Sequence, residues 1–310
     1  MSAELALIGP ILAAMLAAAT PLLFAALGEL VVEKSGVLNL GVEGMMLVGA
    51  VCGFAVAVQT GSSTLGFVAG AAAGAGMAAL FGVLTLFLLA NQVATGLALT
   101  LFGVGLSALI GQGFVGIPIA DVPELYIPGL TDLPVIGKAL FGQDALVYLA
   151  LAAVPAVHWF LYATRKGLIL RAVGENHAAA HALGYKVIRI RFLAVLFGGA
   201  MSGMGGAFLS LDYTPMWAEG ISSGRGWIAL ALVVFATWKP GRVLLGAWLF
   251  GGVTIAQLHV QGLGIDIPSQ LLSMLPYLAT VVVLVVISRD VARIRLNAPA
   301  SLGKVFHPDA

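Results

Sequence analysis

Apolar residues run along this chain in long blocks, with no sign of strict alternation. Eight blocks, near 5–27, 38–59, 64–90, 93–112, 144–163, 190–211, 242–259 and 270–288, approach the length of a bilayer-crossing helix, which takes about 20 apolar residues. A ninth, 226–238, is too short to cross alone. Either residues 213–225 add to it, or it is a broken or re-entrant helix. The blocks are far longer than the roughly 10-residue alternating segments of a membrane β-barrel. The pattern therefore predicts an all-α, polytopic transmembrane bundle of about nine spans.

The polar breaks between blocks set the direction, because Lys and Arg are retained on the cytoplasmic side. With the 165–189 loop placed inside and spans counted outward from it, Lys34, Arg165, Lys166, Arg171, Lys186, Arg189, Arg191, Lys239, Arg242, Arg289, Arg293, Arg295 and Lys304 fall inside. Only Lys138 and Arg225 of the 15 basic residues fall outside. This puts the N-terminus out and the C-terminus in. The 113–143 loop, with Asp121, Glu124, Asp132 and several prolines, then faces outward. The reading is a single membrane domain over 1–310, with a cytoplasmic loop at 165–189 and a short, basic, partly disordered tail at 289–310. The first residues, MSAELALIGP, lack the positive stretch of a cleavable signal, so the first block is expected to remain as a span.

Composition narrows the chemistry. Hydrophobic residues make up 60% of the chain and charged ones 9%, against roughly 25% charged in ordinary soluble domains. Abundant glycine and alanine suit helices whose backbones approach closely. A net charge of +1 gives no reason to expect nucleic acid. Cys52 is the single cysteine and lies in an apolar block, so there is no disulfide framework. No phosphate-loop motif is present; Gly137-Lys138-Ala139 is the nearest string and lacks both the earlier glycine and the hydroxyl residue. His177 and His181 share one helical face, but no further metal ligands accompany them, and a solvated loop face is expected there. There is no nucleophile elbow. The chain is therefore expected to be a non-catalytic membrane subunit with no metal or cofactor of its own.

Three segments carry more. In the cytoplasmic loop, Gly174, Glu175 and Asn176 precede Ala178, Ala179, Ala180 and Ala182, and Gly184 follows. Glu175 and Asn176 are expected to open a short helix and Gly184 to close it. A helix so poor in large apolar groups suits close docking on a partner. In the second segment, 28–46, Glu33-Lys34-Ser35-Gly36 reads as a cytoplasmic turn in which Ser35 caps the next helix. Glu43 then lies eight residues on, about 12 Å along a regular helix. A carboxylate at that depth costs on the order of 2.5–3.5 kcal/mol by insertion scales, so it should face protein or water. Lining the pathway and pairing with a neighbouring helix are equally open roles for it. In the third, 222–252, Arg225 sits before a helix start between Gly224 and Gly226. It either attracts an anion there or pairs with Glu219 or Asp212.

The loop 178–184 resembles the E-A-A-x-x-x-G signature of ABC importer permeases, with alanine in place of the glutamate. Segments 28–46 and 222–252 resemble the permease branch for simple sugars, nucleosides and branched-chain amino acids, nucleoside-type members most closely. The resemblance runs from Pro21 to Arg289. It implies alternating access, with ABC ATPase subunits supplying energy from ATP and magnesium, a second permease subunit, and an extracytoplasmic substrate-binding protein. It implies residence in the bacterial inner membrane. It assigns ATPase coupling to Gly174, Glu175, Asn176, Ala178, Ala179, Ala182 and Gly184. Asn39, Glu43, Asn91, Gln92, Thr95 and Gln257 are candidates to line the path, or else serve as interhelical hydrogen bonds worth about 0.6 kcal/mol each. Nucleosides or purine-like solutes are the expected cargo, then simple sugars, then branched-chain amino acids. An ion-coupled carrier using Glu43 is the alternative from another class.

Overall fold

The structure is a computed structural model that describes residues 3–133, 136–262, 268–288 and 297–307. The long helices are α1 (Ala3–Lys34), α2 (Val42–Thr60), α3 (Ser63–Gly82), which continues through a wide π turn to Phe87, and α4 (Gln92–Gly111). A short α5 (Ile136–Phe141) precedes α6 (Ala145–Ala163), α7 (Arg165–Glu175) and the one-and-a-half-turn α8 (His177–Ala182). Then come α9 (Val187–Phe208), extended by a π turn to Tyr213, α10 (Arg225–Phe235), α11 (Pro240–Gly262), α12 (Ser269–Ser273) and α13 (Leu275–Ser288). Among the described residues the only extended pairing is three isolated bridges, so the fold is all-helical.

Among the described residues, seven helices are long and apolar enough to cross a bilayer, where the sequence suggests about nine. The difference lies in two places. The short ninth block becomes α10, a helix of 11 residues, about 16 Å long. The 270–288 block is interrupted at Met274, between α12 and the 14-residue α13. Arg289, Arg293 and Arg295 lie outside the described residues, but 297–307 is seated on the bundle.

Two packing principles hold the bundle. Leu22, Leu23, Phe24 and Leu27 put α1 at its centre, nearly fully buried against residues of α6, α9, α10 and α11 such as Val157, Met201, Val233 and Phe250. Beside it, α2, α3 and α9 meet backbone to backbone. A Cβ added to Gly66 would lie 2.7 Å from the carbonyl oxygen of Gly53, and one on Gly70 would lie 2.9 Å from that of Gly49. Only glycine allows that approach, which gains dispersion contact where lipid offers no hydrophobic drive. At the far end from α8, the 115–144 connection is tied down by Ile119 N–H to the Pro215 carbonyl (3.3 Å) and Leu125 N–H to that of Gln143 (3.0 Å). Asp144 caps α6 there, accepting from Leu146 and Val147; burial raises its pKa above the ordinary carboxylate value, against the lowering effect of those bonds.

Candidate functional site

Two clusters of polar groups stand out, and α1 and α2 connect them. The first begins where α1 ends. The helix continues past the apolar block to Lys34, because Glu29 and Glu33, one turn apart, face protein and are each about 1% exposed. Ser35 donates to the Val32 carbonyl (2.6 Å) and so closes α1; it does not cap the following helix. Residues 37–41 then run back into the bundle without helical structure. Bare backbone at membrane depth is tolerated only where protein satisfies it, and here side chains do so. Leu38 N–H donates to Gln92 Oε1 (2.8 Å), Asn39 N–H to Glu29 Oε1 (3.2 Å) and Gly41 N–H to Asn39 Oδ1 (2.9 Å).

Because of this break, Glu43 lies in the first turn of α2, not 12 Å along it. Its carboxylate accepts from Ser222 Oγ (2.6 Å), Gly224 N–H (2.9 Å) and Gly226 N–H (2.6 Å). These groups form the approach and first turn of α10, so a carboxylate from α2 sits on the positive end of the α10 dipole. The other end of α10 is tied as well: the indole N–H of Trp238 donates to Glu33. Left-handed backbone flanks the helix on both sides, at Ser223 (φ +48) and Gly224 (φ +78) before it and at Thr237 (φ +48) and Trp238 (φ +54) after it. Non-glycine residues held there carry strain, of the sort found where structure over-determines a segment. Arg225 bonds neither Glu219 nor Asp212. Its guanidinium donates to the carbonyls of Ile221 and Ser222 and lies 5.5 Å from the Tyr213 ring centre.

The second cluster is the α7–α8 junction. Asn176 caps α8 by accepting from Ala179 N–H (2.9 Å), and Gly184 follows with φ +85 as the left-handed residue beyond its end. Glu175 closes α7 and does not open α8. Ala178, Ala179, Ala182 and Leu183 point outward, Leu183 being 78% exposed, while Ala180 packs inward on Val173, Val187 and Phe306. Arg191, 1% exposed, donates to the carbonyls of Ser35 and Lys304 and to His177 Nδ1, each at 3.1 Å. That bond needs a neutral imidazole. Burial, then Arg191, then Lys304 lower the His177 pKa below its ordinary 6.5, in the same direction.

A family model described as the permease component of branched-chain amino acid transport systems matches residues 11–287. The chain belongs to this permease family. The permease is 44% identical to a protein of Haloferax volcanii provisionally named a glucose ABC transporter permease, over 94% of this chain and 95% of that one. It is 36% identical to a nucleoside ABC transporter permease of Lactococcus lactis (88% and 90% covered) and 32% identical to a guanosine ABC transporter permease of Bacillus subtilis (88% and 90%). No solved structure matches. All three relatives are named as ABC transporter permeases, and none as an ion-coupled carrier.

Of the residues singled out along the path, Asn39, Glu43 and Gln92 converge on the broken segment 37–41 and the start of α10. Asn91 is exposed and caps α4 through Ala94 N–H, and Thr95, half-buried, follows one turn later. Gln257 lies half-buried on α11, outside this cluster. Sequence reasoning missed Glu29, Trp238, Ser222 and the buried role of Arg191. Two carboxylates at i and i+4 in an otherwise apolar helix were the available signal, since an intramembrane ionisable residue is expected to have a partner. A cavity of 820 Å³ between α1, α6 and α9 is walled by apolar residues such as Val157, Phe160 and Phe197, with Lys166 among its lining. It offers little to hydrogen-bond a polar solute.

Proposed function

We propose that this permease forms the membrane path of an ATP-driven importer for nucleosides or purine-like solutes. The observation that carries this reading is that the charge in the first cluster is used internally. Glu43 is occupied by three donors of the α10 start, and Glu33 by Trp238. Glu29 keeps one oxygen without a partner but is 1% exposed and closed off by protein, so no accessible carboxylate is left there for the amino group of a zwitterion, which would lose hydration without compensation. An uncharged nucleoside or sugar loses less. Among uncharged solutes, the nucleoside and guanosine relatives favour nucleosides. The 44% identity to the glucose-type relative supports simple sugars as the second reading.

The remaining parts extend this reading. α8 seats in an ATPase subunit that binds ATP and magnesium, a second permease subunit completes the path, and an extracytoplasmic protein delivers the solute. The domain is a single membrane unit in the bacterial inner membrane, with nine crossings, α8 and the tail inside, and the N-terminus outside. Gly174, Glu175, Asn176, Ala178, Ala179, Ala182 and Gly184 form the coupling element, and Asn39, Glu43, Asn91, Gln92, Thr95 and Gln257 border the path. Lys34, Arg171, Arg191 and Lys304 gather at the α8 end, in keeping with that orientation. The test is ATP-dependent uptake by the assembled importer, cognate binding protein included. Excess adenosine or inosine should compete, and leucine should not. Competition by glucose or ribose without competition by nucleosides would move the assignment to sugars.

A further inference from the structure

The segment 297–307 joins parts of the molecule that are far apart in sequence. Ser301 N–H donates to the Gly174 carbonyl (2.8 Å) and Gly303 N–H to that of Gly36 (3.2 Å). The Ser301 hydroxyl donates to the Glu175 carbonyl (3.1 Å), the Asn297 carbonyl accepts from Lys34 Nζ (2.7 Å), and the Lys304 carbonyl accepts from Arg191 (3.1 Å). Phe306 is 7% exposed and meets the rings of His177 and His181 edge-on, each at 5.3 Å. The backbones are in near contact: a Cβ built on Gly36 would fall 3.3 Å from Gly174 Cα and 3.4 Å from Ser301 Cβ. Thus the α1–α2 turn, the α7–α8 junction, the start of α9 and the tail share one knot.

α8 by itself is too short to be a stable helix. On its inner side Ala180 packs in the same cluster as Phe306, and both its histidines lie on that ring, while its alanine and leucine face points away. α8 meets the bundle through this ring, through the His177–Arg191 bond and through the contacts of Ala180 with Val173 and Val187, and the Ser301 bonds hold the adjoining end of α7. On the far side of the knot, the α1–α2 turn leads directly into residues 37–41 and Glu43, and so to α10. We propose that residues 297–307 are a positioning element of the coupling apparatus, transmitting displacement of α8 to the α1–α2 turn. The proposal rests on the reading of α8 as the ATPase seat.

The test uses the full importer in proteoliposomes, with its cognate ATPase subunits and binding protein. Wild type is compared with Phe306→Ala, Phe306→Leu, and a chain ended after residue 296. The quantity read is ATP hydrolysed per solute moved. The amount of active complex cancels in that ratio, so simple loss of stability does not change it. Phe306→Ala should retain ATPase subunits through purification and continue to hydrolyse ATP. Its ATP cost per solute should rise about tenfold, within the range by which residues along a coupling network alter it. Phe306→Leu should restore most of the difference, and the truncated chain should resemble Phe306→Ala. An unchanged ratio in Phe306→Ala overturns the proposal. So does loss of the ATPase subunits from that variant, which would make the tail part of the seat. If the truncated chain does not assemble, the Phe306→Ala and Phe306→Leu pair decides alone. Ala179→Trp is the separate control on the seat: if it leaves ATPase binding intact, the reading of α8 fails independently of the ratio.

Discussion

At the scale of single residues, the carboxylates of α1 and α2 hold the polar interior together. Hydrogen bonds to charged groups contribute roughly 1.5–3 kcal/mol each, and Glu43 accepts three. Glu43→Ala leaves those donors without an acceptor and should lower the melting temperature of the purified protein clearly. Glu43→Gln keeps one acceptor oxygen and should fold, with uptake reduced severalfold but not abolished. Complete loss of uptake in a well-folded Glu43→Gln protein would show that the carboxylate does more than accept these three bonds. His177 gives a prediction in pH. Its imidazole is held neutral by burial and by Arg191 and Lys304, with a pKa below the ordinary 6.5. A depressed pKa means that the contribution of this contact is fully present above 6.5 and is lost as pH falls from there towards the lowered value. Cleavage by trypsin after Lys304 should therefore be slow at neutral pH and faster in mild acid, and His177→Gln should flatten that dependence. The same rate at both pH values would show that His177 does not hold the tail.

At the scale of elements, α8 and α10 are both short, and both depend on groups distant in sequence. Ala179 is exposed in the middle of α8. Ala179→Trp should leave membrane insertion normal while removing ATPase association and uptake; co-purification of the ATPase subunits measures the first and solute accumulation the second. The sequence was most legible where an element carries its own signal. Seven of the eight long apolar blocks, the Asn176 cap and the left-handed Gly184 follow local rules and are found as expected among the described residues. It was least legible where tertiary contacts override local pattern. Gly36, Gly41 and Gly44 permit an irregular backbone, but they do not announce that residues 37–41 stay non-helical, because the stability of that segment comes from Gln92 and Glu29. Likewise, the end of α1 could not be read from hydropathy, since Glu29 and Glu33 are polar but buried. The tail looked like a solvated basic end because Phe306 is a lone aromatic whose pocket is built from α7, α8 and α9.

At the scale of the whole molecule, the charge asymmetry and the clusters make one testable topology. With Cys52 replaced, a cysteine placed at His177 should react only from the cytoplasmic side and one at Asp132 only from outside; external labelling of position 177 would reverse the orientation and remove the coupling assignment with it. The glycine seam between α2, α3 and α9 bears on how such a molecule can move. Side chains can change rotamer and slide past one another, but backbones already in contact have no such slack. Where Gly53 faces Gly66 and Gly49 faces Gly70, the gap between helices is a single carbonyl oxygen wide. Neither helix can roll or tilt against the other without collision on one side and a void on the other. These three helices are therefore expected to move as one body, with relative motion left to what surrounds them.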